Sequence, residues 1–255
     1  MTAHVVTEIA DGVMTVTFNR PEKKNAITAA MYAAMASGCR VAEADPAVRV
    51  VVIAGVGDAF TAGNDLKDFA ENPPLDHHAP VFQFMAALAG LSKPVIAAVN
   101  GVAVGIGTTL LLHCDLAFAT PTARFQMPFV NLALVPEFAS SLLIPRLVGT
   151  RRAAELLMLG EPFSAEMALN YGLINAVVPA ETLRETVMAK AHALAAKAPA
   201  ALRETKRLLH ADHAEISATI AREAEAFGKR LKSPEFAEAA QAFFEKRAPD
   251  FSRFK

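Results

Sequence analysis

Residues 95–112 read VIAAVNGVAVGIGTTLLL, eighteen positions without a charge, and the fold turns on how they are read. Such a run just reaches the length of a membrane-spanning helix. Asn100-Gly101, a turn dipeptide, interrupts its middle, Gly105 and Gly107 follow, and neither a second span nor a polybasic flank accompanies it. The stretch therefore reads as a buried strand, a glycine turn and a buried helix, and no membrane insertion is expected.

Working outward, residues 48–54 (VRVVVIA) form a second short apolar run rich in branched side chains, read as a buried strand, and loop chemistry follows from Gly55 to Asn64. Thr28 is placed to cap a helix that runs to Ala44 and stops at Asp45-Pro46. Residues 4–9 and 13–18 alternate around Asp11-Gly12 as a hairpin. Beyond Pro73-Pro74, Val81, Phe82, Met85, Leu88 and Ala89 share one face of a helix over 81–91, and Pro94 opens the next strand. This repeating strand and helix order gives way after Gly149 to helical patterning, with one short strand over 174–178. Helices over 200–210, 213–231 and 234–246 carry Phe227, Phe236, Phe243 and Phe244, so this end is a candidate docking or oligomer surface. The expected division is a core over 1–199 and a helical region over 200–255.

A chain of 255 residues suffices for one large domain or two small ones. Cys39 and Cys114 are its only cysteines, with no CxxC and no zinc spacing, which favours a reducing, cytoplasmic setting without disulfides or metal. Twenty-five basic against 26 acidic residues, and 11 against 9 over 199–255, give no nucleic-acid footprint. A hydrophobic fraction of 53% with 20% charged residues excludes disorder and leaves apolar surface to hide in a core or between subunits. The opening MTAHVVTEIADG enters strand patterning at once, so no signal or transit peptide is expected.

No GxSxG nucleophile elbow occurs, and Ser140-Ser141 in FASSLL reads as helix interior. Gly101, Gly105 and Gly107 are spaced GxxxGxG, which is not a dinucleotide loop. His77-His78 fall in a proline-bounded loop, and His210 and His213 straddle a helix break with no carboxylate at metal spacing, so surface roles are expected. Two glycine segments say more: residues 60–66 (FTAGNDL) and 100–109 (NGVAVGIGTT) each join a strand to a helix. Backbone N–H groups at such turns either converge as an oxyanion hole or merely punctuate packing.

In FTAGNDL, in NGVAVGIG followed by HCDLAFAT and RFQMPF, in NRPEKKNAIT at 19–28 and in FFEKRAPDF near the end, the chain resembles the enoyl-CoA hydratase/isomerase, or crotonase, superfamily over essentially its whole length. The resemblance implies an α/β fold, a spiral of repeated ββα units with a C-terminal helical region that trimerises, often as a dimer of trimers. It also implies an acyl-CoA thioester as ligand, with no metal or redox cofactor and CoA as part of the substrate. By position the two oxyanion N–H donors fall on Ala62 and Ile106. Lys24, Ala26, Gly63, Asn64, Asp65, Leu66, Gly105 and Phe129 fall at substrate-contacting positions, and Phe243 and Lys246 at positions that reach the CoA adenine end from a neighbouring subunit.

Hydratases of this kind resemble one another in carrying two glutamates, and here those positions hold Thr109 and Phe129. Neither takes up a proton at neutral pH. The segment PFVNLALVPEFASS (128–141) is similar instead to the 3,2-enoyl-CoA isomerase branch with a single glutamate, which makes Glu137 the base, and Asn64 also resembles that branch. Read without the resemblance, Glu137 after Pro136 is an acid in a first helical turn, where the dipole stabilises its carboxylate by about 0.3–1 kcal/mol. Burial among Phe129, Leu132, Leu134, Val135 and Phe138 acts the other way and raises a carboxyl towards a useful general base. Asp65 is expected to cap a helix and Asp115 to stabilise a turn; Lys23 and Lys24 either approach CoA phosphates or are solvated. The expected activity moves an enoyl-CoA double bond from position 3 to position 2. The alternatives are another activity of the same superfamily, such as hydration, or non-catalytic acyl-CoA binding.

Overall fold

A computed structural model describes residues 3–74 and 78–254; His77 lies outside them. The chain opens with an antiparallel hairpin of β1 (Val5–Ala10) and β2 (Val13–Phe18). Asp11 and Gly12 between them have φ of 51° and 79°, the backbone that the Asp-Gly turn favours. Helix α1 (Ala29–Ala44) follows, and the Thr28 hydroxyl caps it by accepting the Met31 N–H at 3.3 Å.

Three further turns of chain repeat one plan. The first comprises β3 (Val50–Gly55), β4 (Ala59–Thr61), α2 (Leu66–Glu71) and α3 (Pro80–Ala89); the second β5 (Val95–Val99), β6 (Val102–Val104) and α4 (Ile106–Thr109); the third β7 (Leu116–Ala119), β8 (Arg124–Gln126) and α5 (Ser140–Val148). Then come α6 (Thr150–Ala154), β9 (Phe163–Ser164), α7 (Ala165–Asn170), β10 (Ala176–Val177), α8 (Ala180–Ala195), α9 (Pro199–Leu209), α10 (His213–Leu231) and α11 (Pro234–Glu245). The first strand of each turn joins a six-stranded sheet of order β1-β2-β3-β5-β7-β10, parallel from β2 onward. The second strand joins a four-stranded sheet of order β4-β6-β8-β9. A chain that deals its strands alternately to two sheets is a ββα spiral.

Residues 95–112 thus contain two strands, β5 and β6, where the sequence reading has one strand and a turn. The corner between them is tight, since a Cβ on Gly101 would stand 2.0 Å from the Asp58 carbonyl oxygen. Only glycine fits there. Among the described residues no helix is long and apolar enough to cross a membrane.

The inner strands β3 and β5 of the large sheet are buried on both faces, which is why they read as continuous apolar runs, whereas the edge strand β1 is largely exposed. One face packs Met14, Val16, Val51 and Ile53 against α1 and α3; the other sets Val13, Val50, Val52, Ile96 and Phe118 against Leu183, Val187 and Ala191 of α8. Helix α10 closes over the first face, where Phe227 meets Phe69 edge-on with ring centroids 6.0 Å apart. Leu208, Leu209, Phe243 and Phe244 remain exposed on the C-terminal helices.

Candidate active site

Two glycine turns abut near the centre of the molecule. A Cβ on Gly63 would lie 2.7 Å from the Val104 carbonyl oxygen, and one on Gly107 would strike Thr61 Cγ2 at 2.6 Å, so the turn after β4 and the turn after β6 are pressed together through glycine. Asn25, fully buried with φ of 55°, braces the first turn: its Nδ2 donates to the carbonyls of Val56 (2.9 Å) and Ala59 (2.8 Å), and its Oδ1 accepts the Arg20 N–H (2.8 Å). Ile106 opens α4, where the first N–H groups of a helix have no partner within it.

The amides available at these turns differ from the expectation in one place. Ala62 N–H donates to the Lys24 carbonyl at 2.9 Å, because Lys24 and Asn25 both adopt left-handed φ and turn that carbonyl onto it. Ala62 is therefore not a free donor. Two residues on, neither the Asn64 N–H nor the Ile106 N–H has an acceptor among the described residues. The pair left without an acceptor among the described residues is Asn64 and Ile106.

Thr109 lies three residues after Ile106, on the same side of α4. Its hydroxyl donates to Glu137 Oε1 at 2.5 Å, while Glu137 Oε2 is buried with no hydrogen-bond partner among the described residues. Glu137 is only 5% exposed. Burial pushes its carboxyl up to about 8, the Thr109 hydroxyl pulls the other way, and the charge of Glu223 adds to the rise. A carboxyl with one oxygen fixed, one free and a pKa near neutrality is equipped to carry a proton in either direction.

Glu137 does not occupy a first helical turn. Helix α5 begins at Ser140, and the carboxylate on its N-terminus is Glu223 of α10, which accepts from Ala139 N–H (2.6 Å) and Ser141 N–H (2.9 Å). Ser140 and Ser141 therefore open a helix and do not lie inside one. Ser140 N–H and Oγ bind the Glu137 carbonyl at 3.1 and 2.6 Å and fix its main chain.

Local pattern did not single out three groups here. Tyr32 on α1 donates from its hydroxyl to Asn64 Oδ1 at 2.5 Å; burial, and then the nearby Glu137, hold its phenol well above the ordinary value. His113 is buried, stacked on Phe138 at 3.8 Å, with Nε2 on the Phe138 carbonyl at 2.8 Å, and burial lowers it to about 4, which keeps it neutral. Glu223 is the third. A tyrosine on the apolar face of a helix was the available signal, since a buried phenol needs a partner.

Of the other expected site residues, Gly63 and Gly105 form the turns, and Phe129, buried, sets its Cε1 4.0 Å from where a Gly105 Cβ would be. Lys24 is exposed, and Ala26 is half-buried with its carbonyl accepting from Arg20 (3.0 Å). Asp65 caps α2 through the Lys67 and Asp68 N–H groups and pairs with Arg20 at 2.6 Å, so its oxygens are engaged by protein and not offered to a substrate. Burial raises its carboxyl, but the Arg20 bond and the cap outweigh that and leave it below the usual range. Leu66 starts α2, half-buried. Phe243 and Lys246 stand exposed at the end of α11, and no hydrogen bond or ring contact links them to Glu137. Asp115 accepts the Val95 N–H (2.7 Å) and pairs with Lys206 (2.7 Å) and His210 (3.3 Å), so His210 does have a carboxylate partner, one brought from far along the chain.

The spiral agrees with what comparison finds: the enoyl-CoA hydratase/isomerase family profile matches residues 8–253. The chain belongs to the enoyl-CoA hydratase/isomerase family. It is 36% identical to the 1,2-epoxyphenylacetyl-CoA isomerase of Escherichia coli K12, over 99% of both chains, and 32% identical to the peroxisomal enoyl-CoA delta isomerase 3 of Mus musculus, over 93% of this chain and 77% of that one. Among solved structures, Pseudomonas aeruginosa OdaA superposes with a TM-score of 0.92 at 51% identity, covering 95% of this chain and 99% of the other. Family members with hydratase names match at similar identity, so membership gives the crotonase fold and the enoyl-CoA hydratase/isomerase class of activity, not the individual reaction.

Proposed function

We propose that the chain is an enoyl-CoA isomerase that moves a double bond from position 3 to position 2 with one carboxyl as its only proton carrier. The observation that carries this is the state of Glu137: buried, Oε1 held by Thr109, Oε2 without a partner among the described residues. The thioester oxygen accepts hydrogen bonds from the Asn64 and Ile106 N–H groups, each worth on the order of 3–4 kcal/mol as developing charge settles on oxygen. Glu137 Oε2 removes a proton from carbon 2, the electrons delocalise into a dienolate, and the same carboxyl returns the proton at carbon 4.

Hydration asks for a second proton carrier to place and activate a water. Thr109 spends its hydroxyl proton on Glu137, and Phe129 has none to give. The other buried carboxylate nearby, Glu223, has both oxygens occupied by donors from α5. No cofactor enters this scheme, and CoA arrives as part of the substrate. The enzyme is read as cytoplasmic, assembled as a trimer or dimer of trimers through the region 200–255, where Phe243 and Lys246 would serve a neighbour's CoA. An activity screen with 3-enoyl, 2-enoyl and 2,4-dienoyl thioesters tests the proposal: dominant conversion of the 3-enoyl substrate supports it, and dominant hydration of the 2-enoyl substrate replaces it with a hydratase.

A further inference from the structure

Glu223 is buried beside Glu137 yet takes no part in the proton transfer above. It comes from the middle of α10, 84 positions after Ala139, and both of its oxygens are spent on one short stretch of main chain. Oε2 accepts the Ala139 N–H at 2.6 Å; Oε1 accepts the Ser141 N–H at 2.9 Å and the Ser141 hydroxyl at 2.5 Å. Ala139 is the cap residue of α5 and has no side chain able to do this itself.

Phe138 and Ala139 are consecutive residues with left-handed φ, 59° and 58°. A left-handed backbone is strained for any residue with a Cβ, so the pair persists only where its surroundings over-determine it. Here His113 grips the Phe138 carbonyl, and Glu223 grips the amides on either side of Ser140. Glu137 is the next residue upstream, so this pair sets the direction in which its side chain leaves the main chain.

We propose that Glu223 is a positioning residue: it holds the left-handed Phe138–Ala139 pair and thereby aims the Glu137 carboxyl, so that docking of α10 completes the active site. The inference rests on reading Glu137 as the base. Glu137 is faced by Thr109 from α4, Tyr32 from α1 and Glu223 from α10, and Glu223 in turn feels the charge of Arg222. His113 beside them stays uncharged.

The test uses the full chain and measures kcat, KM and the pH dependence of kcat for a 3-enoyl-CoA, together with backbone amide exchange over 137–141. Glu223→Gln should lower kcat about 10- to 100-fold with KM held within about twofold, as a carboxyl displaced by a fraction of an ångström to one ångström requires. Its acid limb should move to lower pH, because a like charge beside Glu137 is gone, and the Ala139 and Ser141 amides should exchange faster. Glu223→Asp keeps the charge and shortens the reach by one methylene, so kcat should fall with the limb in place; this variant decides the matter if the glutamine form does not fold. Parent-like kcat in the variants that fold, with only a lowered melting temperature, overturns the proposal and leaves Glu223 as a tie for the C-terminal helices. Glu137→Gln is run alongside: its full activity would sink the base reading, whereas its inactivity beside active Glu223 variants sinks the positioning role alone.

Discussion

The Thr109 hydroxyl and Glu137 Oε1 lie 2.5 Å apart, joined across 28 positions of sequence, and Thr109 sits in the same four-residue helix that begins with Ile106. Under the proposed function, one turn would both present an amide to the thioester oxygen and anchor the carboxyl that moves the proton. At position 109 this chain carries a hydroxyl that holds one oxygen of Glu137.

Thr109→Val removes that hydroxyl at constant shape. Its bond is what holds the Glu137 carboxyl down against burial, so the carboxyl should rise further and the pH at which the base is free should rise with it. Turnover of 3-enoyl-CoA at pH 7 should fall about tenfold per unit of that rise, and Thr109→Ser should restore it. A Thr109→Val enzyme with an unshifted pH profile would show that the bond plays no part.

The carboxyl of Glu137, at about 8 in the fold, also dictates two pH dependences. kcat/KM of the free enzyme should climb as pH rises and level off above about 8. Stability moves the other way: the folded state favours the protonated carboxyl, so that contribution is whole below about 4.5 and is lost as pH rises to about 8. Glu137→Gln should therefore melt higher than the parent, with the gain widening from pH 5 to pH 9, as thermal denaturation at both pH values will show. An equal difference at the two would mean that Glu137 is not buried as described.

Tyr32→Phe strips the donor from Asn64 Oδ1. An unpaired polar group in such a place costs about 1–3 kcal/mol, and the residue that loses its tether is the one proposed to supply an oxyanion amide. A lower melting temperature and a roughly tenfold lower kcat/KM are expected; kinetics equal to the parent's would separate Tyr32 from the site.

Ile106→Pro deletes the other amide at the first position of a helix, where proline is tolerated. kcat should drop about 10²–10³-fold with a smaller change in KM, measured on protein shown by circular dichroism to be folded. Unchanged turnover would remove Ile106 from the oxyanion hole.

Much of this was legible in the sequence wherever a signal is local. Thr28 capping α1, Asp11-Gly12 closing the hairpin and the apolar runs of β3 and β5 each follow from neighbouring residues and appear as expected. β4 and β6 have three residues each, too few to display a period, and they emerge only as second strands of a repeat. The site divides in the same way. Glu137 and Ile106 are marked by the segments that carry them, but which amide near Gly63 is free depends on the Lys24 carbonyl, 38 residues earlier, reaching Ala62 through a left-handed turn. Glu223 and Tyr32 sit on helices whose periodicity announces only packing, and their roles come from partners on other elements.

Glu137→Gln keeps the size of the side chain and removes its basicity, so the comparison of its 3-enoyl-CoA isomerisation rate with the parent's tests the single-carboxyl account most directly. General acid–base catalysis contributes about 10²–10⁴-fold, so the rate should fall at least about 100-fold while affinity for a CoA product stays within a few fold. Isomerisation retained at the parent's rate would contradict the account and require another group to carry the proton.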